Sequence, residues 1–258
     1  MMTSAPGHRI TVSGLTKRFG TFTAVDRVDV ALGDTGITAL IGPNGAGKTT
    51  LFNLITGQLA PDEGTVVLEG RDVTGSRAHA MARYGVGRSF QDVRLFGAMT
   101  VLDNVAVYAQ QKHAASISRT CIHAFRQRRI ARDATDTARE MLDYLGISQL
   151  SAIRADSLGF AQQKLVAIAR LLALRPRILF LDEPASGLDH TGRDSLTATI
   201  ERLASDGYAV CFVEHNTHLV RELATRVLFL SQGRVLADGD ADSVFSDPRL
   251  AEAYLGLV

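Results

Sequence analysis

The sequence predicts an α/β fold: a mostly parallel sheet, an antiparallel β patch ahead of it, and a helical subdomain inserted between its strands. Three observations predict it. The runs Ile178 to Leu181 and Ala209 to Val213 carry no polar side chain and alternate with helical stretches. Such strands are buried on both faces, as in a parallel sheet covered by helices. Short strand-like segments with glycine turns crowd the amino-terminal part, and a long stretch of helical spacing, from about Val101 to Ala173, divides the two regions.

Taken in order, His8 to Val12, Arg27 to Leu32 and Ile37 to Ile41 read as strands, and Thr65 to Leu68, closed by Gly70, as another. Ile37 to Ile41 runs into a glycine-rich turn and then a helix from Lys48 to Thr56, with Gly57 as its cap. In the helical stretch Arg126, Arg128, Arg129 and Arg132 crowd together. A solvated face is the simple reading; contact with a partner or with phospholipid head groups is the other. From Arg177 onward strand and helix alternate: Ile178 to Leu181, helix Gly192 to Ala204, Ala209 to Val213, helix Thr217 to Leu223, and Arg226 to Leu230. A short strand and two helical turns are expected after Gly233.

The 258 residues suit one large domain, or one domain with a subdomain. With 46% apolar and 21% charged residues the composition is that of a soluble globular chain. A formal net charge of +1 gives no global field toward nucleic acid or an anionic membrane, so no nucleic-acid partner is expected. Cys121 and Cys211 fit no metal or disulfide spacing, and Cys211, inside an apolar strand, reads as a buried inert thiol. No stretch approaches the ~18 to 20 uninterrupted apolar residues of a membrane span. Met1 to Arg9 contains no apolar block of signal-peptide type. A cytoplasmic location follows as the expectation, unless a partner holds the chain at a membrane.

The glycine-rich turn is Gly42-Pro43-Asn44-Gly45-Ala46-Gly47-Lys48-Thr49, followed by Thr50. Phosphate is a dense anion, and a helix amino terminus offers unpaired N–H donors and the positive end of the dipole. Glycines let the backbone curl around the β-phosphate, Lys48 supplies a mobile charge for the β and γ oxygens, and Thr49 offers a hydroxyl to Mg²⁺. This is a P-loop in its required strand–turn–helix context, so the fold class is a P-loop NTPase core. Asp182 and Glu183 follow the strand Ile178 to Leu181 at its carboxyl end, where open α/β sheets bind ligands. Asp182 is expected to hold the magnesium, through water, and Glu183 to accept a proton from the water attacking the γ-phosphate. His215, after Val213-Glu214, is placed to bond that phosphate and align the water. Gln91 ends the segment Gly85-Val86-Gly87-Arg88-Ser89-Phe90.

These motifs resemble the nucleotide-binding subunit of ATP-binding cassette (ABC) transporters over essentially the whole chain. The resemblance implies one ABC ATPase domain over residues 8–258: a P-loop core with its β patch at 8–90 and 165–258, and a helical subdomain at 91–164. It implies that Phe19 stacks on adenine, although the residues alone leave a core position open. It also implies that Gln91 senses Mg²⁺ and the attacking water, and that Ser186 to Asp189 crosses a dimer interface. The cofactors implied are ATP and Mg²⁺.

Three segments look like ATPases of branched-chain amino acid importers: Gly87 to Phe96, Met99 to Val105 and Asp247 to Gly256. Importers of urea or short amides and the ATPase of the lipopolysaccharide exporter share much of this. One departure stands out. Where the family reads Leu-Ser-x-Gly-Gln, this chain reads Leu158-Gly159-Phe160-Ala161-Gln162. Gly159 lacks the hydroxyl that would bond ATP held by the opposite subunit, and Ala161 adds a methyl where backbone should approach. The expectation is a heterodimer with another ABC ATPase subunit carrying an intact signature, docked on integral-membrane permease subunits at the cytoplasmic face of the membrane. An extracytoplasmic solute-binding protein would complete such a system. The other classes are a soluble ABC ATPase of DNA repair or translation, a nucleotide-binding regulator with weak catalysis, and a P-loop small-molecule kinase.

Overall fold

Two sheets, one antiparallel and one mostly parallel, make up the strands of the chain among the described residues. The computed structural model describes the backbone of residues 9–33, 36–89, 93–114, 123–247 and 250, and their side chains outside 111–127. In the antiparallel sheet β1 (Ile10–Phe19) lies between β2 (Phe22–Leu32) and β4 (Glu63–Leu68), with the short β5 (Arg71–Asp72) at the far edge. Strand β1 is longer than the sequence suggested. Gly14, at φ 59°, does not end it: pairing shifts register between Val12 and Leu15, so the glycine marks a bulge inside a continuous strand. Glu69 and Gly70, both at positive φ, make the tight turn from β4 to β5.

The second sheet is ordered β10–β9–β3–β8–β7–β6, with β3 (Gly36–Ile41), β6 (Val86–Arg88), β7 (Ile178–Asp182), β8 (Ala209–Val213), β9 (Arg226–Ser231) and β10 (Arg234–Gly239). All neighbours run parallel except β10, which pairs antiparallel with β9. Helices α1 (Lys48–Ile55), α2 (Ala78–Arg83), α6 (His190–Ser205) and α7 (Thr217–Leu223) lie between strands, and α8 (Ala241–Phe245) follows β10. The edge strand β6 and helix α2 have no sequence signal of their own. Three residues that include a glycine and an arginine show no apolar run.

The long helical stretch comprises three helices: α3 (Val101–Ala114), α4 (His123–Tyr144) and α5 (Phe160–Ala173). Two short 3₁₀ turns separate α4 from α5. Arg128, Arg129 and Arg132 on α4 are exposed; the side chain of Arg126 lies outside the described residues. No described helix is long and apolar enough to cross a membrane.

The side-chain period of two sorts the parallel strands onto two cores. Leu179, Leu181, Val210, Phe212 and Phe229 face the cluster built with α3 to α7. Ile178, Phe180, Cys211, Val213 and Leu230 face the other way, onto α1 and the antiparallel sheet. There Phe180 meets Phe52 of α1 edge to face, ring centroids 4.9 Å apart. Burial pushes the Cys211 thiol up to about 12, which fits an unreactive group in this core. Cys121 lies outside the described residues. Because β3, β7 and β8 are parallel and in register, Ile41, Asp182 and Val213 end on the same side of the sheet. The glycine-rich turn, both acidic residues and His215 leave from that edge.

Candidate nucleotide site

Gly42 to Gly47 links β3 to α1 and wraps the first turn of that helix. At Gly42, φ 147°, a Cβ would stand 1.9 Å from the Leu230 carbonyl oxygen of β9. At Gly47, φ 102°, it would stand 2.2 Å from the Ala24 carbonyl oxygen. Gly45, at φ 79°, meets nothing within 4 Å. The first and last glycines are therefore required by neighbouring backbone; the middle one is required by its conformation alone. Asn44, Gly45 and Thr49 are exposed, Pro43 and Thr50 half-buried, and Ala46 is buried beneath the loop.

Lys48 is the first residue of α1 and only 6% exposed. Its Nζ donates to the carbonyls of Gly42 at 2.7 Å and Pro43 at 2.8 Å. The ammonium is thus held across the mouth of the loop rather than paired with a carboxylate. Burial lowers its pKa, and the nearby Glu183 and Asp182 carboxylates oppose that shift.

Asp182 ends β7, nearly buried, with its N–H donating to Ser89 Oγ at 3.0 Å. Its carboxylate accepts from Arg88 at 3.1 Å, and the same guanidinium donates to Thr56 Oγ1, just past α1, at 2.9 Å. Arg88, itself 8% exposed, therefore ties β6, β7 and the P-loop helix together. Glu183 follows with φ 45°, a left-handed conformation uncommon for glutamate. Its N–H donates to the Val213 carbonyl at 3.0 Å. Its Oε1 lies 3.1 Å from Nε2 of His215, the residue that leaves β8 one position beyond Glu214. Glu214 is 5% exposed and its carboxylate accepts from the N–H groups of Ala185 at 2.9 Å and His215 at 3.2 Å. One buried carboxylate thus joins the turn after Glu183 to the turn of His215.

Lys48, Asp182, Glu183 and His215 come together here. Gln91 lies outside the described residues. Phe19 ends β1 and is 49% exposed, with Lys17 Nζ 5.8 Å from its ring centre; it is not part of the core. Asp189 caps α6, its Oδ1 accepting from the Gly192 N–H at 2.9 Å. Gly159 caps α5, and its N–H donates to Gln162 Oε1 at 3.1 Å, half of a capping box. Among the described residues no hydrogen bond joins Gly159, Ala161 or Gln162 to the Gly42–Thr50 loop. The Ala161 methyl is half-buried on the α6 side, 3.2 Å from where a Cβ on Gly192 would sit.

Sequence reasoning missed Arg88, Glu214 and Lys164, whose Nζ donates to the Glu183 carbonyl at 3.1 Å. Glu214 had a usable signal, a carboxylate directly after an apolar strand, as at β7. Arg88 and Lys164 had none. A cleft of about 910 Å³ lined by Arg71, Arg83, Arg175 and Arg177 lies at the opposite, amino ends of β6 and β7, away from this chemistry.

The donor set fits Mg²⁺. Among the described residues no group of three His, Cys, Asp or Glu side chains could cage an ion. One carboxylate, Asp182, and one hydroxyl, Thr49, suit an ion that takes its other ligands from phosphate and water.

Comparisons with known proteins bear on the family and the fold. A family model described as ABC transporter matches residues 25–186. The chain is 40% identical over 251 residues to the high-affinity branched-chain amino acid transport ATP-binding protein BraF of Pseudomonas aeruginosa, covering 95% of this chain and 96% of that one. It is 36% identical over 248 residues to LivG of Escherichia coli, a protein of the same description, covering 96% and 97%. Among solved structures, the ADP conformation of an ATP-binding cassette of an ABC transporter superposes with a TM-score of 0.83 at 28% identity, covering 96% of this chain and 99% of that chain. Matched in sequence through its P-loop and acidic strand, and in fold over nearly its whole length, this chain belongs to the ABC transporter family.

Proposed function

We propose that this chain is the ATP-hydrolysing subunit of an ABC importer for branched-chain amino acids, bound peripherally at the cytoplasmic face of the membrane. The observation that carries the ATPase reading is the meeting of Lys48, Asp182, Glu183 and His215 at one edge of the parallel sheet. The full-length likeness to BraF and LivG supports the substrate class.

In this reading ATP lies along the Gly42–Thr50 loop, its β-phosphate on the amino end of α1 and its adenine on Phe19. Mg²⁺ there would neutralise charge on the β- and γ-phosphate oxygens, with Thr49 and Asp182 to hold it and Gln91 beside it. Arg88 occupies one Asp182 oxygen, and the other would serve the ion. Lys48 exchanges a loop carbonyl for a phosphate oxygen. Glu183 takes the proton of the attacking water. His215 Nε2, now on Glu183, turns to the γ-phosphate when nucleotide is bound and aligns that water. Residues 8–90 and 165–258 form the core, and 91–164 the helical subdomain that meets the permeases.

A second cassette closes the site, its signature lying over this ATP and Gly159 to Gln162 lying over its own. The altered signature favours a different subunit as that mate. A hydrogen bond to a charged group is worth about 1.5–3 kcal/mol, so loss of the serine slows the mate's site by roughly tenfold or more. Since the Ala161 methyl is turned toward α6, the missing hydroxyl is the larger deficit. Gly159→Ser together with Ala161→Gly should raise steady-state phosphate release by the assembled complex, with Gly159→Ser alone giving most of the gain. An unchanged rate from a mate whose site is already fast would remove the asymmetry argument.

Purification of this chain from solubilised membranes tests the transport reading directly. Two multi-span permeases and a second cassette should come with it, together with leucine-, isoleucine- or valine-dependent phosphate release once the solute-binding protein is added. Recovery of ribosomes or DNA instead would overturn it.

A further inference from the structure

Lys164 sits where a lysine on an amphipathic helix normally would not. It is 6% exposed, and its Nζ donates to the Glu183 carbonyl at 3.1 Å. Burial lowers its pKa, while the carboxylates of Glu214 and Glu183 hold the charge in place. One turn back along α5, the ring of Phe160 lies 5.2 Å from the same ammonium. Phe160 is the middle residue of the signature, 47% exposed, and its ring lies against Gly187, where a Cβ would come within 2.8 Å of Cε1.

Glu183 needs such support. Its backbone is left-handed, a conformation that persists in a non-glycine residue only when its surroundings over-determine it. Contacts of the described residues do so here: the N–H on Val213, the carbonyl shared by the Ser186 N–H at 3.2 Å and Lys164, and the carboxylate on His215. Of these, only the Lys164 bond comes from α5, the helix that starts at the signature turn. A change at that turn therefore has a short covalent and polar route, Phe160 to Lys164 to the Glu183 carbonyl, into the site on the other side of the same chain.

We infer that Lys164 is a positioning residue for Glu183, and that through Phe160 it couples the signature turn of one ATP site to the carboxylate of the other. This rests on the reading of Glu183 as the base. The side chain does not touch nucleotide; it fixes the peptide from which the carboxylate hangs. Misplacing a reacting group by about 1 Å costs on the order of 100-fold in rate, so the effect falls on turnover rather than on binding.

The test uses the full chain assembled with its cassette mate and permeases, measuring kcat and KM for phosphate release, and binding of a fluorescent ATP analogue to the chain itself. K164M should lower kcat by about 10- to 100-fold with analogue affinity within about twofold, and K164R should restore most of the rate. K164Q, which keeps one donor for the carbonyl, serves if K164M does not fold, and should fall between them. F160A should slow turnover by a smaller factor, and the K164M/F160A double variant should be no slower than K164M, the non-additivity of one coupled unit. Near-normal kcat in K164M, or a loss shared equally by affinity and not restored by K164R, would overturn the positioning role. Additive losses in the double variant would overturn the coupling through Phe160. E183Q run beside them separates the two levels: if E183Q still turns over, the base assignment fails and this inference with it. If E183Q is dead while K164M is normal, the positioning inference fails alone.

Discussion

Replacing Glu183 with glutamine stops phosphate release while ATP stays bound. The two side chains are isosteric, so the left-handed turn, the bond to the Val213 carbonyl and the Lys164 contact are all retained. What disappears is a group able to accept a proton. General-base catalysis contributes typically 10²–10⁴-fold, and kcat of the assembled complex should fall by about that factor. The phosphate site itself is made by the Gly42–Thr50 loop and Lys48, which Glu183→Gln does not touch. Equilibrium binding of ATP should therefore hold or tighten, because the closed, ATP-loaded state no longer drains away. Phosphate release and filter binding on the same preparation check both arms. A glutamine variant that turns over within a few-fold of the parent would place the base elsewhere and revive the reading of a regulator whose carboxylate is structural.

The second large effect is a contrast between two glycines of one loop. In Gly42→Ala the new methyl would have to occupy space 1.9 Å from the Leu230 carbonyl oxygen. That oxygen belongs to β9, which pairs with β3 directly before the loop, so neither side can give way without parting the sheet. The φ of 147° adds strain for any L side chain. A loss of more than ~3 kcal/mol is expected, at the upper end of single substitutions, and ATP binding should weaken beyond detection. Gly45→Ala meets no atom within 4 Å and carries only the cost of its φ of 79°, about 1–2 kcal/mol. Thermal melts with nucleotide titration on the two variants measure the difference. Equal behaviour would mean that the loop, and not its contact with β9, sets the glycine requirement at position 42.

Much of this was legible before any fold was known. Apolar strands such as Ile178 to Leu181 declare themselves because both their faces are buried, which leaves no polar residue to interrupt the run. The P-loop declares itself because phosphate chemistry fixes residue type at fixed offsets. The strands that were mis-sized or missed obey weaker rules. The first strand, read as His8 to Val12, continues through a bulge at Gly14; β6 is an edge strand of three residues whose place is given by its neighbour β7 and not by its own sequence. Helical spacing from Val101 to Ala173 left the breaks between α3, α4 and α5 unplaced, because periodicity reports which face is apolar and says little about where the chain turns back.

The candidate site divides along the same line. The residues proposed to serve the triphosphate, Lys48, Asp182, Glu183 and His215, each fall in a short motif, so local sequence is enough to name them. Their support comes from afar. Arg88 lies 94 positions from its partner Asp182, and Lys164 lies 19 from Glu183 on a helix that reads as ordinary. The Ala161 methyl, read from sequence as an obstacle at the signature, meets Gly192 of α6. Sequence by itself determined the chemistry, because a triphosphate demands particular donors at particular spacings along one loop and one strand end. The tertiary structure alone decided which buried charges hold those groups in place, because a buried ammonium or guanidinium is defined by the carbonyl or carboxylate that folding brings to it, and nothing in its flanking residues records that partner.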